Sequence, residues 1–165
     1  MKTKARRFLL EIVYLSILFL TAGAVLAGCG KSPIGIYNNR LMPCPSSPNC
    51  VSSQETKASH SVEPIRYTVS RKQAKDAVIS ILEDLPRARV ATIHDNYIHA
   101  EFRSRIFSFV DDMEFLFDED APLIDIRSAS RVGYSDMGVN RKRVEAFRER
   151  FFLLCPINPD MEIAR

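Results

Sequence analysis

Apolar and polar positions alternate with a period of two from Tyr97 to Arg131 and with a helical period on either side. Ile98, Ala100 and Phe102 point one way along Tyr97–Arg103, and His99, Glu101 and Arg103 the other. Phe107–Phe117 repeats the pattern, with Phe109, Met113, Phe115 and Phe117 inward. Leu123–Arg131 has Ile124 and Ile126 inward, Asp125 and Arg127 outward. The turn Glu119-Asp120-Ala121-Pro122 joins the last two strands, whereas the link from Arg103 to Phe109 has no Gly or Pro to set its register. Upstream, Pro64–Val69 reads as a short strand. Ser70 and Gln73 form a capping box, and Ala74, Ala77, Val78, Ile81, Leu82 and Leu85 make one helical stripe ended by Pro86. Arg89–Ile93 is a strand closed by the turn His94-Asp95-Asn96. Downstream, Asn140 is placed to cap a helix with Val139 and Val144 as its hydrophobic staple. Val144, Phe147, Phe151 and Leu154 then face the core, and Pro156 stops the helix. The order β-α-β-β-β-β-α predicts an α+β domain over 44–155, followed by a loose tail over 156–165. Its antiparallel sheet should carry both helices on one face and leave the other partly wet.

The first 28 residues follow a different rule. Lys2, Lys4, Arg6 and Arg7 precede an apolar run from Ile12 to Ala27, the pattern of a secretory signal peptide. The run ends in Leu26-Ala27-Gly28-Cys29, which resembles the lipobox of bacterial lipoproteins. That resemblance implies cleavage before Cys29 and attachment of lipid, palmitate included, to Cys29. The competing reading is an uncleaved transmembrane anchor over Phe8–Gly28, a run interrupted by Glu11. Either way the domain is tethered to a membrane in the cell envelope, and its side is periplasmic. Gly30, rather than Asp, after the modified cysteine points to the outer membrane. Residues 29–43 have no helical period and read as a tether. The net charge of +3 resides entirely in the signal segment, whose four bases face only Glu11. The remainder is balanced, which argues against nucleic acid as a partner.

Cys44-Pro-Ser-Ser-Pro-Asn-Cys50 is a turn-rich loop that reads first as a short disulfide in an oxidising compartment. Alternatives are a bond from either residue to Cys155, a metal site, or a catalytic thiol at Cys50 with His60 or His94. A lone C-x5-C is a poor metal motif, so neither metal nor cofactor is expected.

Three stretches resemble one family: Cys44-Pro-Ser-Ser-Pro-Asn-Cys-Val-Ser-Ser-Gln54; His99-Ala-Glu-Phe-Arg-Ser-Arg105 with Phe109-Val-Asp-Asp-Met-Glu-Phe115; and Arg127-Ser-Ala-Ser-Arg-Val-Gly-Tyr-Ser-Asp-Met-Gly-Val-Asn-Arg-Lys-Arg143. The family is domain of unknown function 1499, and the resemblance runs from about Leu41 to Phe152. It implies domain boundaries and carries over no reaction, cofactor or catalytic residue.

The outward residues His99, Glu101, Arg103, Asp112, Glu114, Asp125 and Arg127 predict either a solvated face of cross-strand ion pairs or a polar binding surface. By alternation Asp111 points inward and needs a partner, for which Arg103, Arg105 and Arg131 are available, unless a bulge turns it out. Arg131–Asn140 is a loop with two glycines leading into a helix, a place where exposed amides bind anions. Arg141, Lys142 and Arg143 then stand in the first helical turn, where the helix dipole disfavours cations. They either pair with Asp136 and its neighbours or serve an anion. The order is not that of a phosphate-binding P-loop. Ser128, Ser130 or Ser135 with His99 and Asp112 would complete a hydrolase triad on paper, without the G-x-S-x-G setting. The expectation is a non-enzymatic envelope module, for binding or envelope maintenance. It would recognise an anionic group or a protein partner through Arg127, Arg131, Tyr134, Arg141, Lys142 and Arg143. The alternative is a hydrolase-like enzyme using His99 with Asp111 or Asp112.

Overall fold

The computed structural model describes residues 33–156. The signal peptide, the lipid-bearing Cys29 and the tail beyond residue 156 lie outside the described residues. Strands β1 (Ile36–Tyr37), β2 (Arg40–Leu41), β3 (Cys50–Ser52) and β4 (Ile65–Arg66) precede helix α1 (Arg71–Asp84). Strands β5 (Ala88–Ile93), β6 (Tyr97–Arg103), β7 (Val110–Phe117) and β8 (Leu123–Ser130) follow, then helix α2 (Val139–Leu154). The main sheet is antiparallel throughout, in the order β3-β8-β7-β6-β5, with β4 also pairing along β8. This is the α+β architecture that the alternation predicts.

Both helices pack on one face. Ile98 stands opposite Phe115 and Ala100 opposite Met113 across β6 and β7, and Phe115 opposite Ile126 and Phe117 opposite Ile124 across β7 and β8. Ala74, Val78, Ile81 and Leu82 of α1 and Val144, Phe147 and Phe151 of α2 close over them. Each large side chain buried in this way stabilises the fold by about 1.5–3 kcal/mol. Helix α1 begins with the predicted capping box: the Gln73 amide donates to Ser70 Oγ at 3.3 Å, and the Ser70 amide to Gln73 Oε1 at 3.0 Å. Leu85 leaves the helix in an extended conformation, as a residue before proline should.

Five local expectations are corrected. The stretch read as a tether is built into the domain from residue 33. Asn38 and Asn39 take positive φ values of 50° and 57° and turn β1 back onto β2 as a two-residue hairpin. Leu41 of that hairpin packs on Tyr97 and Leu116, covering the sheet face expected to be wet. Strand β7 starts at Val110, so Phe107 and Phe109 sit in the β6–β7 loop and are exposed. The cap of α2 is Gly138, not Asn140, and Asp136 Oδ2 accepts the Asn140 amide at 2.7 Å in the capping role. Val139 and Leu154, assigned to staple and core, are exposed.

Candidate functional site

On the helix-covered face, Asp111 opposes Phe102 and Ser130 in the sheet. Its partner comes from α2: Arg143 Nη2 donates to Asp111 Oδ2 at 2.6 Å. None of the three arginines foreseen for it fills that place. Arg143 also lies 4.8 Å from the Phe102 ring centroid and donates to Asn140 Oδ1 at 2.6 Å. Asn140, fully buried, joins everything around it. Its Oδ1 also accepts from Ser128 Oγ at 2.6 Å, and its Nδ2 donates to the Asn49 carbonyl and to Ser130 Oγ, each at 3.0 Å. Asn49 Nδ2 in turn donates to the Gly133 carbonyl at 2.6 Å. The loop before β3, the end of β8 and the start of α2 are thereby tied together by one polar cluster, in the interior where such bonds count most.

The opposite face holds the predicted charged residues, and most of it is dry; Arg103 stays exposed and Asp125 half-buried, accepting from Ser53 Oγ at 2.6 Å. His99, Glu101, Asp112, Glu114 and Arg127 are all buried. Register explains how. Glu101 stands directly across from Asp112, a repulsive pair on its own. Arg131 lies between them: its Nε and Nη2 donate to Asp112 at 2.8 and 2.7 Å, and Nη2 donates to Glu101 at 2.6 Å. Arg89 adds a 2.9 Å bond to Glu101, and His99 Nε2 lies 2.7 Å from Asp112 Oδ1. Bonds from Arg89 and Arg131 hold the Glu101 carboxyl below its ordinary pKa. Burial pushes Asp112 upward, but donation from Arg131 and His99 outweighs it, and the carboxyl ends below the ordinary range. One row along, Glu114 opposes Arg127, whose Nη1 donates to Glu114 Oε2 at 2.6 Å. Glu114 Oε1 accepts from Tyr97 Oη at 2.7 Å and from the Gly35 amide at 2.6 Å. Burial and then Glu114 raise the Tyr97 phenol above its usual pKa.

The sequence-predicted residues are therefore divided. Asp111 is on the far side of the sheet from His99 and Asp112, so only Asp112 is left to pair with His99. Ser128 and Ser130 share the Asp111 face, out of reach of His99. Arg127, Arg131 and Arg143 are engaged by carboxylates. Arg141 is engaged by carbonyls, donating to Ser61 at 2.7 Å and to Ser59 at 3.1 Å. Tyr134 and Lys142 are exposed. Cys44 and Cys50 form the expected disulfide, and Cys155 is a buried free thiol. His60 Nδ1 lies 2.9 Å from the Cys50 carbonyl oxygen, a structural contact of the same loop. Asn49 and Asn140 were not foreseen as a pair, because neither alternation nor spacing marks two asparagines that meet 91 positions apart.

Three described clefts lie elsewhere. One of about 260 Å³ is lined by Asn39, Asn96, Asp118, Glu119, Asp120 and Asp125. Another of about 250 Å³ runs beside the hairpin past Tyr37 and Met42. The third, about 320 Å³, lies between the helices at Ile81, Leu153 and Leu154. Among the described residues, no cluster of His, Cys, Asp and Glu is arranged to hold a metal ion. A family model described as a protein of unknown function (DUF1499) matches residues 40–151. No curated protein matches the chain.

Proposed function

The chain belongs to the DUF1499 family, and from that premise we propose that it is a lipid-anchored protein of the bacterial cell envelope. Its domain faces the periplasm and serves as a binding or envelope-maintenance module for an anionic group or a protein partner, and its anchor is in the outer membrane. The Leu26-Ala27-Gly28-Cys29 box supports the anchor. The observation that carries the binding reading is how the charges are used. His99, Asp112 and Glu101 are tied into a buried cluster with Arg131, and Arg127 and Arg143 are held by Glu114 and Asp111. Arg103, Arg105 and Lys142 remain exposed at the end of the sheet where Tyr134 also stands. Recognition of an anion thus falls to these peripheral cations rather than to the buried arginines.

The anchor is tested by the intact mass of the protein extracted from membranes. A chain beginning at Cys29 and bearing diacylglycerol and acyl groups is expected, and an unmodified chain beginning at Met1 would contradict it. The 2.7 Å contact of His99 with Asp112 also favours a hydrolase-like reading, since it resembles the orienting half of a catalytic dyad. His99→Gln separates the two readings. Retained cellular function in a folded variant supports the binding module, and loss of function in a folded variant supports the enzyme.

A further inference from the structure

Two loops at one end of the sheet sit side by side, linked where the Arg131 amide donates to the Val110 carbonyl at 3.1 Å. They display Ile106 (80% exposed), Phe107 (71%), Tyr134 (77%) and Met137 (90%), with Phe109 and Val132 beside them. Apolar surface gathered in this way marks a place of interaction. The loops hold their shape without a partner. The Ser104 amide donates to the Phe109 carbonyl at 2.8 Å, the Phe109 amide to Ser104 Oγ at 2.9 Å, and the Phe107 and Phe109 rings stack at 5.4 Å. Asp136 accepts from the Gly138 and Asn140 amides at 2.9 and 2.7 Å. Such preorganisation lowers the ordering cost of docking.

The exposed charges of the two loops themselves are basic. Within 103–109 and 131–139 the charged residues are Arg103, Arg105, Arg131 and Asp136. Arg131 and Asp136 are used internally, and Arg103 lies 4.0 Å from Glu101 while staying exposed, so Arg103 and Arg105 stand at the surface, with Lys142 and Arg87 exposed nearby and Glu83 and Asp84 exposed beside Arg87. The far end of the sheet is the reverse, with Asp95, Asp118, Glu119 and Asp120 in its turns. The described chain begins on the sheet face that the hairpin covers. Asn39 lines the cleft with Asp118, and Gly35 bonds Glu114, so the hairpin read backwards runs toward Val110. Cys29 lies six residues before Gly35, a reach of at most ~20 Å. The four residues of β7 from Glu114 to Val110 span ~13 Å. The six-residue contour is therefore long enough to cover that distance.

We propose that this end docks onto an anionic lipid surface, with Ile106, Phe107, Tyr134 and Met137 entering the headgroup region and Arg103, Arg105 and Lys142 meeting lipid phosphates. The proposal rests on the lipid-anchored reading and deepens it. Aromatic side chains favour this interfacial zone, and each basic side chain strengthens adsorption about fivefold. A second copy of this end is a poorer occupant, since it would bring like charges together.

The chain has no tryptophan, so single substitutions report on their own positions. Phe107→Trp, Tyr134→Trp and, at the far end, Glu119→Trp are placed in the full chain, purified with its lipid and reconstituted into vesicles of phosphatidylcholine with phosphatidylglycerol, with and without brominated acyl chains. Bromolipid quenching at positions 107 and 134 but not 119, lowered at least tenfold in apparent membrane contact by Arg103→Ser with Arg105→Ser, supports docking. Equal quenching by aqueous iodide at all three positions overturns it and leaves the anchor intact. Emission at 107 and 134 shielded from both iodide and bromolipid places a protein there instead, and also overturns it. Absence of lipid on the purified chain overturns the anchored reading itself, a result the intact mass reports separately.

Discussion

Asn140→Ala is the sharpest test of how the domain is held together. Asn140 makes four side-chain hydrogen bonds, to Ser128, Ser130, Asn49 and Arg143. Three are neutral, at about 1 kcal/mol each, and the one from Arg143 is charge-assisted, at about 2 kcal/mol. Alanine returns about 0.5 kcal/mol of helix propensity. The net loss is about 4.5 kcal/mol, a large share of a domain's ordinary 5–15 kcal/mol. At about 4 °C per kcal/mol the melting temperature should fall by about 18 °C. Urea unfolding followed by circular dichroism measures the loss directly. Asn140→Asp keeps the acceptor for Ser128 and Arg143 but removes both donated bonds, so about half the loss is expected. An exposed N-cap, which the sequence suggested for Asn140, would cost only about 1 kcal/mol on truncation. A measured loss of that size for Asn140→Ala would refute the network argument.

Other expectations concern the disulfide, the buried charges and the α2 fastener. Cys44→Ser with Cys50→Ser should cost under about 2 kcal/mol in chemical denaturation, because the loop is short and Pro45 and Pro48 already restrict it. Arg131→Met leaves Asp112 and Glu101 facing each other without their shared cation and should cost about 3 kcal/mol at neutral pH. Both carboxyls have lowered pKa values, so their contribution is complete above the unfolded carboxylate range near ~4 and lost as pH falls through the folded values. The wild-type stability advantage over Arg131→Met should accordingly shrink in acid titrations below ~4. Arg141→Ala releases the carbonyls of Ala58, Ser59 and Ser61, and hydrogen exchange in that loop should quicken while β7 and β8 stay protected.

The helix-covered half of the fold was readable because periodicity and burial agree there. Alternation placed Ile98, Phe102, Met113, Phe115 and Ile126 inward, and Ser70 with Gln73 marked the start of α1. The other half was harder for a physical reason. Polar residues on a strand read as wet, and nothing in one strand reveals that its charges will meet complementary charges on the next. Only the register, Glu114 against Arg127 and Glu101 against Asp112 with Arg131 between, shows that the face can be buried. The covering hairpin escaped because its strands are two residues long, although Asn38-Asn39 between Ile36-Tyr37 and Arg40-Leu41 is a turn signal. Phe107 and Phe109 fit the alternation and were carried into β7 by it, while the unmarked turn at Ser104–Ser108, with Ser108 at φ 53°, placed them outside. Of the candidate site, Tyr134 and Lys142 remain at the surface, and the arginines beside them serve the fold.

In the proposed arrangement the buried charges maintain the domain while its loop end meets the membrane. Hydrogen exchange of the full lipidated chain, compared between detergent and vesicles containing phosphatidylglycerol, tests it most directly. Slower exchange confined to residues 104–109 and 131–138 is expected on vesicles, with no change in the turns at 94–96 and 118–122. Protection appearing at the acidic turns instead, or nowhere, would contradict it.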